Sequence, residues 1–273
     1  MIEIIDSLDD PRVAAYRNLP DRTLRGESIF VTEGRVLTRR LLESRYQAES
    51  IFCAEQHAEE LQRAAAGRCP VYAAPEPLLI RIVGFQFHLG VLGAGRRATP
   101  ATLAELMSGV DPAAPLTLAV CPEVTKPENL GLVFRSAAAF AIHGVLLGPT
   151  CCDPFSRRCL RISMGGVLSL PWACSAEILD DLEALRTRYQ LELVATVLDP
   201  QAEKIDQIPW PRRLGLVFGS EFEGLRHHWL EKCHRRVTIP MHPGTDSLNL
   251  GVAAGIFLYK SRRRTGFQPV DCD

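Results

Sequence analysis

The sequence predicts an α/β protein in two parts, a small α/β domain followed by a larger one built on a mainly parallel sheet. Two patterns predict it. Short runs rich in Val, Ile and Leu alternate with stretches of helical spacing along most of the chain, as strands covered by crossover helices do. Residues 96–115 interrupt this alternation with Thr99-Pro100, Gly109, Pro112 and Pro115, which marks a linker at 99–115 between domains 1–98 and 116–264. A chain of 273 residues fits one large or two ordinary domains.

In the first part, residues 12–18 have helical spacing and 28–32 form an apolar strand. Residues 35–44 place Val36, Leu37, Leu41 and Leu42 on one helix face. A strand at 50–53, a helix at 55–66, a strand at 70–73 and a short helix at 76–83 follow. The linker carries a short helical stretch at 102–108. Beyond it, strands at 116–120, 144–147, 171–174, 192–198, 214–218 and 236–239 alternate with helices at 129–140, 155–167, 178–189, around 227–231 and 247–260. Residues 265–273 show no periodicity and are expected to be disordered.

Composition narrows the class. The chain is 47% hydrophobic and 23% charged, with mean hydropathy +0.02, as globular proteins are. No apolar run reaches the ~18 residues of a membrane span. The start, Met1-Ile-Glu-Ile-Ile-Asp6, has neither the basic opening nor the cleavage site of a signal peptide, so a cytoplasmic location is expected. Nine cysteines without a Cys-x-x-Cys pair, and seven histidines without finger-like spacing, argue against a metal site and for reduced thiols. Net charge is −1. The arginines are uneven, however: Arg12, Arg17, Arg22, Arg25, Arg35, Arg39, Arg40 and Arg45 crowd the start, and smaller groups recur at 96–97, 157–158 with 161, 212–213, 235–236 and 262–264. They are either solvated helix faces or a local face for phosphates, which guanidinium forks suit.

Three segments carry the chemistry. In Glu128–Phe140, Arg135 stands among apolar and small residues, six positions after Asn129. It needs a carboxylate, a phosphate or an interface partner, so a structural ion pair and a substrate contact are both open. In Leu214–Leu225, a strand ends on Gly219-Ser-Glu-Phe-Glu-Gly224. Gly219 would let backbone approach a ligand and Glu221 would cap a helix or touch substrate; an ordinary glycine turn is the plainer reading. In Val237–Lys260, a strand ends at Ile239-Pro240-Met241, a polar loop follows, and a helix opens around Ser247-Leu248-Asn249. Its Ala, Gly and branched residues on every side predict close burial, and its start offers polar groups to a ligand. A fourth stretch, Gly93-Ala-Gly-Arg-Arg-Ala98, matches the spacing of a dinucleotide fingerprint. Pro100 follows two residues later with no long helix, so a dinucleotide-dependent oxidoreductase is a weak alternative.

Taken in order, the three segments resemble the motifs of the SpoU (TrmH-like) branch of the SPOUT RNA methyltransferases, over residues 116–260. The first part, with Phe30-Val-Thr-Glu-Gly-Arg35 after a strand, is similar to the L30e-like substrate-binding domain that often precedes them. The resemblance implies an L30e-like domain followed by an α/β-knot, in which residues 214–260 form a trefoil knot. It implies an S-adenosylmethionine-dependent enzyme that methylates a ribose 2'-hydroxyl of structured RNA, rRNA ahead of tRNA. It also implies a homodimer through the knot domain and no action on DNA, which lacks that hydroxyl. By matching positions it gives catalytic roles to Arg135, Asn129, Glu221, Ser247 and Asn249, and the cofactor cleft to Thr196, Leu198, Gly219, Gly224, Ile239, Met241 and Leu248. RNA contacts fall to Arg35, Arg39, Arg157 and Arg158. A guanidinium is a poor general base, so Arg135 is expected to orient the hydroxyl and its adjacent phosphate. Three departures stand out: Ser220 for the usual Asn, Leu250-Gly251 for Val-Ser or Val-Ala, and Lys126-Pro127-Glu128 for Asp-Pro-Gly. The last is expected to alter RNA contacts more than catalysis. A methyltransferase-like RNA-binding protein without turnover is the main rival, and intact Asn129, Arg135, Glu221 and Asn249 argue against it.

Overall fold

Strand and helix alternate from end to end in the computed structural model, which describes residues 2–19 and 26–262. Arg22, Arg25, Arg263, Arg264 and the expected disordered tail, 265–273, lie outside the described residues. The elements run β1 (Ile2–Ile4), β2 (Ile29–Glu33), α1 (Arg35–Glu43), β3 (Ala48–Ala54), α2 (Ala58–Ala65), β4 (Val71–Ala74), α3 (Glu76–Val83) and β5 (Val91–Arg96). They continue as α4 (Leu103–Leu106), β6 (Leu116–Cys121), α5 (Pro127–Ala139), β7 (Gly144–Leu147), α6 (Arg157–Ile162), α7 (Gly166–Ser169) and β8 (Trp172–Cys174). The chain closes with α8 (Ile178–Thr187), β9 (Glu192–Thr196), β10 (Glu203–Lys204), β11 (Arg213–Val217), α9 (His227–Leu230), β12 (Arg235–Thr238) and α10 (Leu250–Ser261).

Residues 1–99 form one compact unit, and they recruit 153–169 from far along the chain. Its five-stranded sheet has the order β1-β4-β3-β5-β2, parallel among β1, β4 and β3 and antiparallel where β5 pairs with β3 and β2. Apolar clusters cover both faces, one around Tyr16, Phe52 and Leu79, the other around Leu61, Ile51 and Val71. The recruited segment is held by chemistry as well as packing. Phe155 stacks on Phe30 at 4.5 Å, and Arg97 pairs with Asp153 at 2.7 Å. The helix expected at 155–167 is therefore two short helices, α6 and α7, that complete the first unit, an association no local pattern encodes.

β5 was not expected as a strand, and it disposes of the dinucleotide reading. Gly93 and Gly95 lie inside it, with no turn to a helix. A Cβ at Gly93 would meet Thr32 Oγ1 at 2.8 Å, and one at Gly95 would meet Phe30 Cζ at 2.5 Å. These glycines admit close packing on the sheet, so they form no phosphate turn.

The second unit comprises 100–152 and 170 onward. Residues 99–115, expected as a linker, are folded into it from Pro100: Leu103 and Met107 are buried in its core, and Thr102 caps α4 in a capping box with Glu105. Its seven strands are ordered β10-β12-β9-β11-β6-β7-β8, and every neighbouring pair is parallel. The strand order reverses at β6 and β11, so the loops beyond their carboxyl ends flank a crevice, where open α/β sheets bind ligands. α5 and α10 pack together with little between them: a Cβ on Gly251 would lie 2.5 Å from Leu132 Cβ.

Candidate active site

A cleft of about 610 Å3 opens beyond the carboxyl ends of β9, β11 and β12, beside the N-termini of α5 and α10. Ligand pockets span roughly 300–1,000 Å3, so it has room for a nucleoside-sized cofactor. All seven residues expected to hold a cofactor line it: Thr196, Leu198, Gly219, Gly224, Ile239, Met241 and Leu248. Asn129, Glu221, Ser247 and Asn249 line it too.

One hydrogen-bond chain ties the three motifs together. Asn249 is the N-cap of α10, its Oδ1 accepting the N–H groups of Gly251 and Val252 at 2.9 and 3.3 Å. Its Nδ2 donates to Asn129 Oδ1 at 2.8 Å, and Asn129 Nδ2 donates to Glu221 Oε1 at 3.0 Å. Glu221 then caps α5 from outside. It accepts the backbone N–H of Lys126 at 3.0 Å, with longer contacts of 3.4 Å from Thr125 N–H and Oγ1–H. Lys126, the N-cap of α5, offers no side-chain cap of its own. A carboxylate there also complements the positive end of the helix. Burial pushes the Glu221 carboxyl up, but the Asn129 amide and the backbone N–H donors outweigh it and hold the group below its ordinary value.

The helix expected from Ser247 begins instead at Leu250, because Asn249 takes the capping position and leaves Ser247 and Leu248 in the preceding loop. That loop is open in a useful way. Among the described residues, 239–248 makes one internal backbone hydrogen bond, from Thr245 N–H to His242 O, and His242 Nδ1 meets the Pro243 carbonyl at 2.8 Å, so most of its other peptide groups remain available to a ligand.

The loop after β11 closes on itself. Ser220 and Gly224 exchange backbone hydrogen bonds of 2.9 and 3.2 Å, and Ser220 Oγ accepts Glu223 N–H at 3.1 Å. Serine in place of the usual asparagine therefore serves the turn. A Cβ at Gly219 would lie 2.2 Å from the carbonyl carbon of Gly224. This crossing of backbone by itself requires the glycine, whose main chain also lines the cleft. Thr196 donates to Val217 O at 3.0 Å, which fixes its side chain against the end of β11.

Arg135 falls elsewhere. It is exposed and is not among the cleft residues. Six residues along an α-helix turn it about 120° away from Asn129, onto the solvent face of α5. Among the described residues it has no ion pair, which removes the structural-pair reading. The four arginines expected to meet RNA all lie in the first unit. Arg35 and Arg39 share Glu60 at 2.8 and 2.6 Å, and their side chains are half exposed. Arg157 is committed to structure: it pairs at 3.0 Å with the buried Glu33, which Arg161 also meets at 3.2 Å, and it lies over the ring of Phe85. Arg158 stands beside it on α6. Several residues with no assigned role in the sequence also line the cleft, among them Phe222, Asp199 and Arg236, and so does Lys126, the departure expected to alter RNA contacts. Phe222 carries no local signal in the sequence; Lys126 is marked by its departure from the usual Asp.

The chain has relatives along nearly its whole length. Residues 117–259 match the SpoU rRNA Methylase family. An uncharacterized tRNA/rRNA methyltransferase of Mycobacterium bovis is 34% identical over 268 residues, covering 94% of this chain and 90% of its own. A 23S rRNA (guanosine-2'-O-)-methyltransferase of Acinetobacter baylyi is 30% identical over 200 residues, 72% of this chain and 79% of its own. Among solved structures, an AdoMet-bound rRNA methyltransferase from Sinorhizobium meliloti superposes with TM-score 0.78 at 26% identity, covering 96% of this chain and 98% of that one. An RNA 2'-O ribose methyltransferase does so with TM-score 0.76 at 28% identity, over 97% and 99%. With a family match across residues 117–259 and a relative sharing 94% of its length, the chain belongs to the SpoU rRNA methylase family.

Proposed function

We propose that this SpoU-family RNA methyltransferase transfers the methyl group of S-adenosylmethionine to a ribose 2'-hydroxyl in structured RNA, rRNA ahead of tRNA, in the cytoplasm. The observation that carries the reading is the hydrogen-bonded chain Glu221–Asn129–Asn249 along the wall of the cleft. The cleft fits the cofactor: apolar side chains of Leu198, Ile239, Met241 and Leu248 line it beside a loop most of whose peptide groups are unpaired. When bound, S-adenosylmethionine supplies an electrophilic methyl on a sulfonium centre. The protein's part is to hold the acceptor. Asn249 and Asn129 fix the cleft wall, Glu221 remains a carboxylate there, and Ser247 stands in the exposed loop where a ribose would enter. Orientation of this kind can supply much of the rate.

A homodimer through the knot domain belongs to the same proposal, with residues 214–260 as the knotted segment. α10 is apolar all round, yet Val252 and Tyr259 are 49% and 42% exposed, and α5 beside it presents Arg135. A second copy is the occupant that suits an apolar stripe on the same helix pair as the cleft. Arg135, outside its own chain's cleft, is assigned to the cleft of that second copy. The experiment is methyl transfer from labelled S-adenosylmethionine to total rRNA from a strain lacking the gene. Label at a position that becomes resistant to alkaline hydrolysis supports the reading. Label in a base, or none, sinks it.

A further inference from the structure

Large apolar side chains left in water converge on the cleft. Among the described residues the two most exposed are Phe222, at 79%, and Leu198, at 64%, and both border it. Nothing in the loop explains the phenyl ring. Closure rests on the backbone of Ser220 and Gly224, and among the described residues Glu221 makes the loop's hydrogen bonds to α5. The ring has one close companion, the ammonium of Lys126, 4.4 Å from its centroid. That ammonium has no ion pair among the described residues. The ammonium takes one face of the ring and the other stays in water, which leaves side by side the two groups with which proteins grip single nucleotides: bases stack on the ring and phosphates meet the cation.

We propose that Phe222 and Lys126 form the nucleotide grip of this enzyme, the ring stacking on an RNA base and the ammonium contacting a phosphate, so that the attached ribose faces Glu221, Asn129 and Asn249. The proposal rests on the RNA methyltransferase reading and adds to it the residues that select the substrate. Both belong to the cleft rim through their own elements, since Lys126 starts α5 and Phe222 follows Glu221, whose carboxylate accepts the Lys126 N–H. An exposed loop ring with an uncompensated cation suits a polyanion carrying planar groups better than it suits an apolar protein partner.

The test measures binding of deproteinised total rRNA, from a strain lacking the gene, with S-adenosylhomocysteine present. Phe222→Ala is expected to weaken binding about 5- to 150-fold, the range that loss of one base stack gives, with its salt dependence unchanged. Phe222→Trp should restore it and Phe222→Leu should not, because stacking needs a flat face. Lys126→Gln should lower the log–log salt slope by about 0.7. Calorimetry with S-adenosylhomocysteine and melting curves should be unaffected by all four substitutions. Wild-type affinity for RNA in Phe222→Ala overturns the proposal, as does full rescue by Leu. Lost affinity for S-adenosylhomocysteine also overturns it, by returning the ring to the cofactor. RNA binding without methyl transfer in the wild type would instead count against the proposed function and leave the grip standing. Absence of RNA binding in the wild type would remove both.

Discussion

The side-chain amide of Asn249 donates to Oδ1 of Asn129 across 2.8 Å, joining the first turn of α10 to the first turn of α5. Two residues 120 positions apart are thus parts of one polar relay that ends on Glu221. The orientation of both amides follows from this network, since only one flip satisfies every partner.

Asn249 does two jobs that substitution can separate. Asn249→Asp should keep the cap, because a carboxylate still accepts from Gly251 and Val252, but it cannot donate to Asn129. Asn249→Ala loses both and should be destabilised by about 1–2 kcal/mol, the usual loss for a cap. Urea melts read the stability, and a single-turnover methylation assay reads the relay. If the Asp variant melts and turns over like wild type, the Asn249–Asn129 bond has no catalytic weight.

Glu221 gives a pH signature. Its folded-state value lies below the ordinary 4.5, so its contribution to stability is present above about pH 4.5 and is lost as pH falls through the folded value. Wild type should therefore lose stability in acid more steeply than Glu221→Gln. The same depression keeps Glu221 ionised and weakly basic near neutrality, so its titration should be absent from the rate profile between about pH 6 and 9. A rate limb in that window that vanishes in Glu221→Gln would contradict this.

Arg135→Ala should fold and bind S-adenosylhomocysteine normally, within about 0.5 kcal/mol of wild-type stability, since the side chain is exposed and unpaired among the described residues. Methyl transfer should fall by roughly two orders of magnitude, as expected for loss of one charged transition-state contact. Mixing Arg135→Ala with Glu221→Ala then tests where the arginine acts. If it serves the partner's cleft, random exchange restores roughly a quarter of wild-type activity, because each mixed dimer has one intact site. If it serves its own, mixing restores nothing.

The two loop glycines should behave differently. Gly219→Ala places a Cβ 2.2 Å from backbone and should open the loop, abolishing cofactor binding measured by calorimetry. Gly224 has φ +66° but nothing within 4 Å of its would-be Cβ, so Gly224→Ala should lose only about 1 kcal/mol. Equal effects from the two would mean that the crossing at Gly219 does not govern the loop.

Much of this was legible in advance for physical reasons. Strand-to-helix junctions carry local signals, and Asn129, Glu221, Ser247 and Asn249 all sit at such junctions, so their convergence at one sheet end could be expected. β5 was not legible because Gly93 and Gly95 dilute its apolar run, and their purpose appears only against Thr32 and Phe30. Arg157 carried the charge of a phosphate contact, but its partner Glu33 lies over a hundred residues earlier and no spacing rule connects them. Phe222 carries no local signal in the sequence. Its exposure is a property of the folded surface alone.

The borrowing of residues 153–169 by the first unit has a consequence for synthesis. The ribosome delivers residues 1–99 early, but Phe30 and Tyr46 wait for Phe155, which packs against both rings. At ~5–20 residues per second, the 70 residues from 99 to 169 take roughly 4–14 s to appear. Through that interval the nascent first unit carries an uncovered aromatic face, and part of the second has already emerged. Vectorial folding, one unit finished before the next begins, is closed to this chain.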